Sequence, residues 1–302
     1  MSATLARPKP KPRRGKIHMS LQTPVAFFIY NRPLQTARVF ARIAEARPSR
    51  LFLIADGPRD DGDQTPVEAA RSVVSDVHWD CEVIRQYSDT HLGCRYRTGN
   101  GLDWVFSLAE RSIVLQDDCL PAISFFPYCD ELLDRYESEE RVMTVSGDNF
   151  QFGVTRTRHS YYFSAIHHLW GWATWRRAWA HHDAAMRLWP TVAGTDFPWD
   201  LVPPYAADYH RRMMELTYQG KLDRWDYQWI LACWLRRGMC ALPAVNLVSN
   251  IGFGPGATNS KSADARSSLP TRELVFPLRH PPIDDLAAHI DEPYRRPITQ
   301  AA

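Results

Sequence analysis

The chain lacks most of the signatures by which an activity is read directly. Its six cysteines, at 81, 94, 119, 129, 233 and 240, form no Cys-x-x-Cys pair, so zinc-ribbon and thioredoxin-like readings fail. There is no Gly-x-x-x-x-Gly-Lys-[Ser/Thr], no Gly-x-Gly-x-x-Gly after the first apolar run, no Gly-x-Ser-x-Gly and no His-Glu-x-x-His; the standard NTPase, dinucleotide, serine-hydrolase and metalloprotease motifs are therefore excluded. No apolar run approaches the ~18 residues that cross a bilayer. The longest, Pro24–Tyr30 (PVAFFIY), has strand length. The first residues carry no apolar segment with a small-residue cleavage site, so no secretion signal is expected and the cysteines are expected as free thiols in a reducing, cytoplasmic setting.

What is present describes a large folded chain. Of 302 residues, 45% are hydrophobic and 23% charged, the balance of a protein with a core. At about 150 residues per unit the length suggests about two units. The net charge of +2 hides an asymmetry. Residues 1–20 hold Arg7, Lys9, Lys11, Arg13, Arg14 and Lys16 and no acid, which leaves the remainder at −4. An acidic body argues against nucleic acid as a partner, because phosphate binding needs a basic face on the fold itself. The Pro/Lys/Arg tail reads as disordered, extended chain, with a weak peripheral grip on anionic lipid as its one functional option.

Strand and helix signals then alternate. Pro24–Tyr30, Leu51–Ala55, Glu82–Gln86, Ile113–Leu115 and Arg141–Ser146 read as strands. Helices are expected from Pro33, near Pro66–Val74, over Gly101–Arg111 and from Ser124. Further helices are expected over Gly171–His182, Ala207–Gln219 and Trp225–Arg237. Alternation of this kind implies βαβ crossovers and a mainly parallel sheet, with ligands bound beyond the carboxyl ends of its strands. That rule selects Asn31-Arg32, Asp56-Gly57 and Asp117-Asp118. Beyond residue 160 the character changes: all tryptophans except Trp79 and Trp104 lie there. Gly252–Gly256 reads as a turn and 257–270 as a mobile polar loop.

Three motifs carry candidate chemistry. Asp117-Asp118 sets two carboxylates side by side at a strand end. They repel unless a proton or a cation is present, and hard oxygen ligands suit Mn²⁺ or Mg²⁺ held against a diphosphate. A solvated turn with a helix cap is the competing explanation. Arg224-Trp225-Asp226-Tyr227-Gln228-Trp229 places Asp226 in the first turn of a helix beside tryptophan. It is either a dipole-favoured acid or a general base whose pKa an apolar wall raises. In His168-Leu169-Trp170-Gly171-Trp172, flat apolar faces flank a small residue, a shape on which sugars stack. Trp172, Trp175 and Trp179 fit a core stripe, whereas Trp170 lies outside it and is the better ligand candidate. The pairs His167–His168 and His181–His182 have no third ligand at useful spacing, which makes a metal reading poor.

The order of PVAFFIYNRP, LFLIADG, SIVLQDDCLPAISFFPYCDEL, HLWGWATW, RWDYQW and NIGFG over residues 23–260 resembles GT-A glycosyltransferases of the N-acetylglucosaminyltransferase I type. Within that group it looks closest to the bacterial hemolysin-like glycosyltransferases. The resemblance implies a GT-A fold: an α/β, Rossmann-like, mainly parallel sheet flanked by helices. In it, residues 21–160 form a nucleotide-sugar-binding half and 161–302 a tryptophan-rich acceptor-side half. It implies an inverting, Mn²⁺-assisted transfer from a nucleotide diphosphate sugar, such as a UDP-sugar, to a hydroxyl of a bacterial glycan or glycoconjugate. Carried over by motif, Asp118 ligates the metal beside Asp117 and Asp226 is the base. Arg32 and Asp56, with Asn31 adjoining, seat the nucleotide; a nucleotide-contacting His of the family falls near Asn100 by spacing. Gln116, where the family has Glu, together with Trp170, Gly171 and Trp225, falls at the donor sugar or acceptor. Two alternatives stay open: a sugar nucleotidyltransferase, for which Asn31-Arg32-Pro33 is a poor triphosphate loop, and a non-catalytic carbohydrate-binding protein.

Overall fold

A computed structural model describes residues 21–154, 156–196, 199, 202, 204–253, 266 and 268–284. The basic tail and most of the 257–270 stretch lie outside the described residues.

The strands are β1 (Val25–Ile29), β2 (Arg50–Ala55), β3 (Glu82–Tyr87), β4 (Arg111–Gln116), β5 (Cys119–Pro121), β6 (Val142–Ser146), β7 (Tyr161–Ser164), β8 (Trp172–Trp175), β9 (Met239–Pro243) and β10 (Val248–Asn250). The helices are α1 (Pro33–Ala46), α2 (Asp61–Val73), α3 (Gly93–Leu108), α4 (Phe125–Arg135), α5 (Arg176–Trp179), α6 (Trp189–Val192), α7 (Pro204–Tyr218) and α8 (Asp226–Leu235). Eight strands form one sheet in the order β3-β2-β1-β4-β8-β6-β9-β7, and β10 pairs antiparallel with β5 in a second. β1, β2, β3 and β4 are mutually parallel, and β9 is parallel to β6; β8 runs antiparallel between β4 and β6, and β7 runs antiparallel to β9. The α/β, Rossmann-like class expected from the alternation is the class observed. One sheet spans both halves of the chain.

Strand periodicity builds the layers. Val25, Phe27 and Ile29 join one apolar cluster with Val39 and Ile43 of α1 and with Phe125, Cys129 and Leu132 of α4. Ala26 and Phe28 face the opposite cluster, with Leu102 and Val105 of α3 and Trp229 of α8. Because alternate side chains leave a strand on opposite faces, the apolar runs of β1, β2 and β4 supply both cores, the pattern of a sheet covered on both sides. Cys129 and Cys233 are fully buried, as expected, and all six thiols are free.

Two expectations need correction. Gly171–His182 is not a helix: Trp172–Trp175 is β8, and only Arg176–Trp179 is helical. The spacing of Trp172, Trp175 and Trp179 matches a helical period by coincidence. In β8, Trp172 faces one core and Trp175 the other, and aromatic and β-branched residues suit a central strand. All three tryptophans are core, as proposed, though for a different reason. The helix assigned to Gly101–Arg111 begins at Gly93. Its first turns are held from afar: Asp56 accepts from the Leu92 and Gly93 N–H groups and Asp223 from those of Cys94 and Arg95. Capping of a helix N-terminus by such carboxylates is strongly favourable, but no local motif announces it.

Candidate functional site

A 450 Å³ cavity opens at the carboxyl ends of β1, β2, β4 and β6. That volume falls within the range of small-molecule sites. Its wall includes Arg32, Asp56, Gln116, Asp117, Asp118, Trp170, Trp225 and Asp226. The acid pair and the candidate base, far apart in the chain, therefore face the same space. Asn31, Gly171 and Asn100 are not part of that wall.

Asp117 is buried, and its Oδ2 accepts from the Tyr30 N–H at 3.0 Å. Burial first, and then the neighbouring Asp118, push its pKa up to about 7, against the pull of Arg32. Asp118 Oδ2 accepts from Arg32 Nη1 at 2.9 Å. Gly252 packs over this pair: a Cβ there would lie 2.2 Å from Asp118 Oδ2 and 2.6 Å from Arg32 Nη1. The glycine thus leaves room beside the carboxylate that any side chain would fill. No group of three or more His, Cys, Asp or Glu poised to hold a metal occurs among the described residues. The donor set fits an ion held through one or two carboxylates, with its other positions left to phosphate oxygens and water, as is usual for Mg²⁺-like ions.

The side of the cavity at Asp56 differs in detail from expectation. Asp56 accepts from the Gly57 and Leu92 N–H groups through Oδ1, and from the Gly93 N–H and His91 Nδ1 through Oδ2. A carboxylate has about four acceptor positions, so those of Asp56 are filled by the protein. Its work is to fix the start of α3 and the ring of His91. Nδ1 of His91 faces two acceptors, Asp56 at 2.9 Å and the Gly57 carbonyl at 3.2 Å. Nδ1 is therefore a donor, and in the neutral ring Nε2 is the acceptor. His91 lines the cavity, whereas Asn100 is exposed on α3. Asn31 donates from Nδ2 to Asp63, which also binds Arg59 and the Tyr30 hydroxyl. Asn31 is thus a support for Tyr30 and Arg59, both of which face the cavity. The Arg59 guanidinium holds Asp63 far below the usual carboxylate range.

On the far side, Asp226 opens α8. Arg224 donates to both its oxygens, at 3.1 and 2.6 Å, and the Tyr227 N–H donates to Oδ1 at 3.1 Å. Behind it Trp225 stacks on Trp172 with ring centroids 5.5 Å apart, and Trp229 packs against the same ring. Asp226 thus stands in the first turn of α8, directly after the stacked Trp225. His210 of α7 also lines the cavity. Its Nδ1 is buried without a partner among the described residues, and burial pushes its pKa down to about 4. His167 is a satisfied core histidine, bonded to Thr144 and to the Gly238 carbonyl.

Trp170 and Gly171 precede β8. Trp172 pairs with Val114 on one side and Ser146 on the other, so the start of β8 lies between the ends of β4 and β6. Trp170 consequently stands between Gln116-Asp117 and Asp148. Gly171 takes φ +69, and a Cβ there would be 2.7 Å from Val248; it is a packing glycine, with its carbonyl accepting from the Gly147 N–H.

A scan of family models finds none that matches, and a search of curated proteins finds no match. Among solved structures, the chain is similar to a UDP-glucose pyrophosphorylase complexed with UDP-glucose, with TM-score 0.25 and 7% identity over 47% of this chain and 62% of that one. It is also similar to mouse xyloside xylosyltransferase 1 in its apo form, with TM-score 0.33 and 10% identity over 70% of this chain and 81% of that one. Likenesses this distant bear on neither activity nor substrate, and the chemistry of the cavity has to decide both.

Proposed function

We propose that the protein is an inverting, metal-dependent GT-A glycosyltransferase that moves a sugar from a nucleotide diphosphate donor to a hydroxyl of a glycan or glycoconjugate. One observation carries this reading: the acid pair at the end of β4 and the carboxylate at the start of α8 line a single cavity of donor size.

In this reading Arg32, Arg59 and His91 seat the nucleotide diphosphate. The Nε2 acceptor of the neutral His91 ring suits a base that offers a ring N–H, as uracil does, and Asp56 acts through His91. Asp118, supported by Asp117, holds Mn²⁺ or Mg²⁺ beside Gly252. When bound, such an ion offsets the charge that builds on the departing diphosphate. Gln116 and Trp170 border the sugar. Asp226 takes the proton of the acceptor hydroxyl as that hydroxyl attacks the anomeric carbon opposite the diphosphate. Arg224 and the Tyr227 N–H engage three of its acceptor positions, which leaves about one free and fixes its direction.

The test is a screen of nucleotide sugars for Mn²⁺-dependent thermal stabilisation and slow donor hydrolysis. The expected result is stabilisation by one nucleotide family, only with the ion present. Stabilisation by free glycan without nucleotide or metal would instead favour a carbohydrate-binding protein.

A further inference from the structure

Asp148 is the carboxyl that nothing above employs. It follows β6 through Gly147, is fully buried and borders the cavity. Oδ2 accepts from the Trp170 N–H at 2.9 Å, while Oδ1 has no partner among the described residues. Burial pushes its pKa well above the usual carboxylate range, against the pull of the Trp170 N–H. A buried polar atom left unpaired is rare and calls for a partner that the protein alone does not supply.

The surroundings form a built site. Phe150 meets His168 edge-on at 4.5 Å and Trp170 at 5.2 Å, and Trp170 meets Phe253 at 5.7 Å. All four rings border the cavity. The segment carrying Asp148 is pinned: Asn149 donates from its backbone N–H to Asn246 and from its side chain to the Pro243 carbonyl, and it accepts from the Gln151 N–H. Aromatic faces with one buried polar group at their base suit a ring that is apolar on one side and carries hydroxyls at its edge. Arg266, whose charge acts on His168, also borders the cavity.

We propose that Asp148, with Phe150, Trp170 and Phe253, forms the subsite that recognises a pyranose, with Asp148 bonding one sugar hydroxyl and fixing Trp170. This rests on the transferase reading. A site built to bond a hydroxyl discriminates strongly, because a missing partner leaves its own polar atom unpaired.

The test compares affinities, by calorimetry with Mn²⁺, for UDP and for UDP-glucose, UDP-galactose, UDP-N-acetylglucosamine and UDP-xylose. The parent is expected to gain affinity over UDP from at least one sugar. In Asp148→Leu that gain falls about tenfold, the size of one buried hydrogen bond, while UDP affinity is unchanged. Asp148→Asn keeps the gain, because its amide oxygen can accept from the Trp170 N–H and its other polar atom can still bond a sugar hydroxyl. A full gain in Asp148→Leu, or an equal loss of UDP affinity, overturns the proposal. If Asp148→Leu does not fold, Phe253→Ala decides: loss of the sugar gain alone supports the subsite, and a full gain overturns it. UDP binding without gain from any sugar defeats the subsite only. No binding of UDP or any of the four sugars defeats the transferase reading as well.

Discussion

Asp117 and Asp118 arrive at the cavity on the end of a strand, whereas Asp226 arrives at the start of a helix set against a layer of tryptophans. The first pair is positioned by sheet register: β4 is locked to β1 on one side and β8 on the other, and the chain has no freedom left when it reaches Gln116. The second is positioned by side chains, through the Arg224 clamp and the stack of Trp225 on Trp172. A backbone-defined site tolerates change around it and fails when its own atoms change. A site defined by side chains depends on each neighbour. The two sides are therefore expected to respond differently to substitution.

The largest expected effect is on the strand side. Asp118→Ala should abolish Mn²⁺-dependent donor binding, as measured by calorimetry with and without the ion; an affinity equal to that of the parent would remove the metal assignment. On the helix side, Asp226→Asn should lower turnover by roughly 10²–10⁴-fold, the usual value of a general base, while donor binding survives. Equal turnover in variant and parent would break the division of labour. Gly252→Ala is a sharper probe, because its methyl group would enter the space beside Asp118 and Arg32. A loss of about tenfold in metal-dependent affinity is expected, equivalent to ~1.4 kcal/mol, with the melting temperature little changed. The smallest contrast separates two readings of one role: His91→Ala should weaken nucleotide binding several-fold, to roughly the extent of one hydrogen bond, whereas Asn100→Ala should leave it unchanged. The reverse result would restore the assignment made by spacing.

The same contrast explains what could be read in the sequence. The apolar runs of β1, β2 and β4 and the residues just after them were legible, because a buried parallel strand is a continuous hydrophobic run and the ligand rule points to its end. Arg32, Gln116, Asp117, Asp118, Trp170, Trp225 and Asp226 all reach the cavity from such cues or from motif order. β8 was not legible. Its Trp-Ala-Thr-Trp pattern satisfies a helical spacing as well as an alternating one, and only its neighbours β4 and β6 settle the question. His91, Arg59 and Asp148 lie outside the quoted motifs. They become neighbours of the site through the Asp56 and Asp63 contacts and through the turn after β6. His91 carried one faint signal, since the glycosyltransferases that the motifs resemble have a histidine near this region and it is the histidine just before α3.

The reversed strand β8 also sets a dimension. Without it, β4 and β6 would be direct neighbours about 4.8 Å apart, and their tips would leave a slit. With it inserted, the tips stand about 10 Å apart, roughly two strand spacings. Trp170 occupies the sill between them. On the proposed transferase reading that gap is the doorway for a single six-membered ring lying edge-in, and bringing β4 and β6 together would narrow it to one strand spacing, however intact the acids on either jamb.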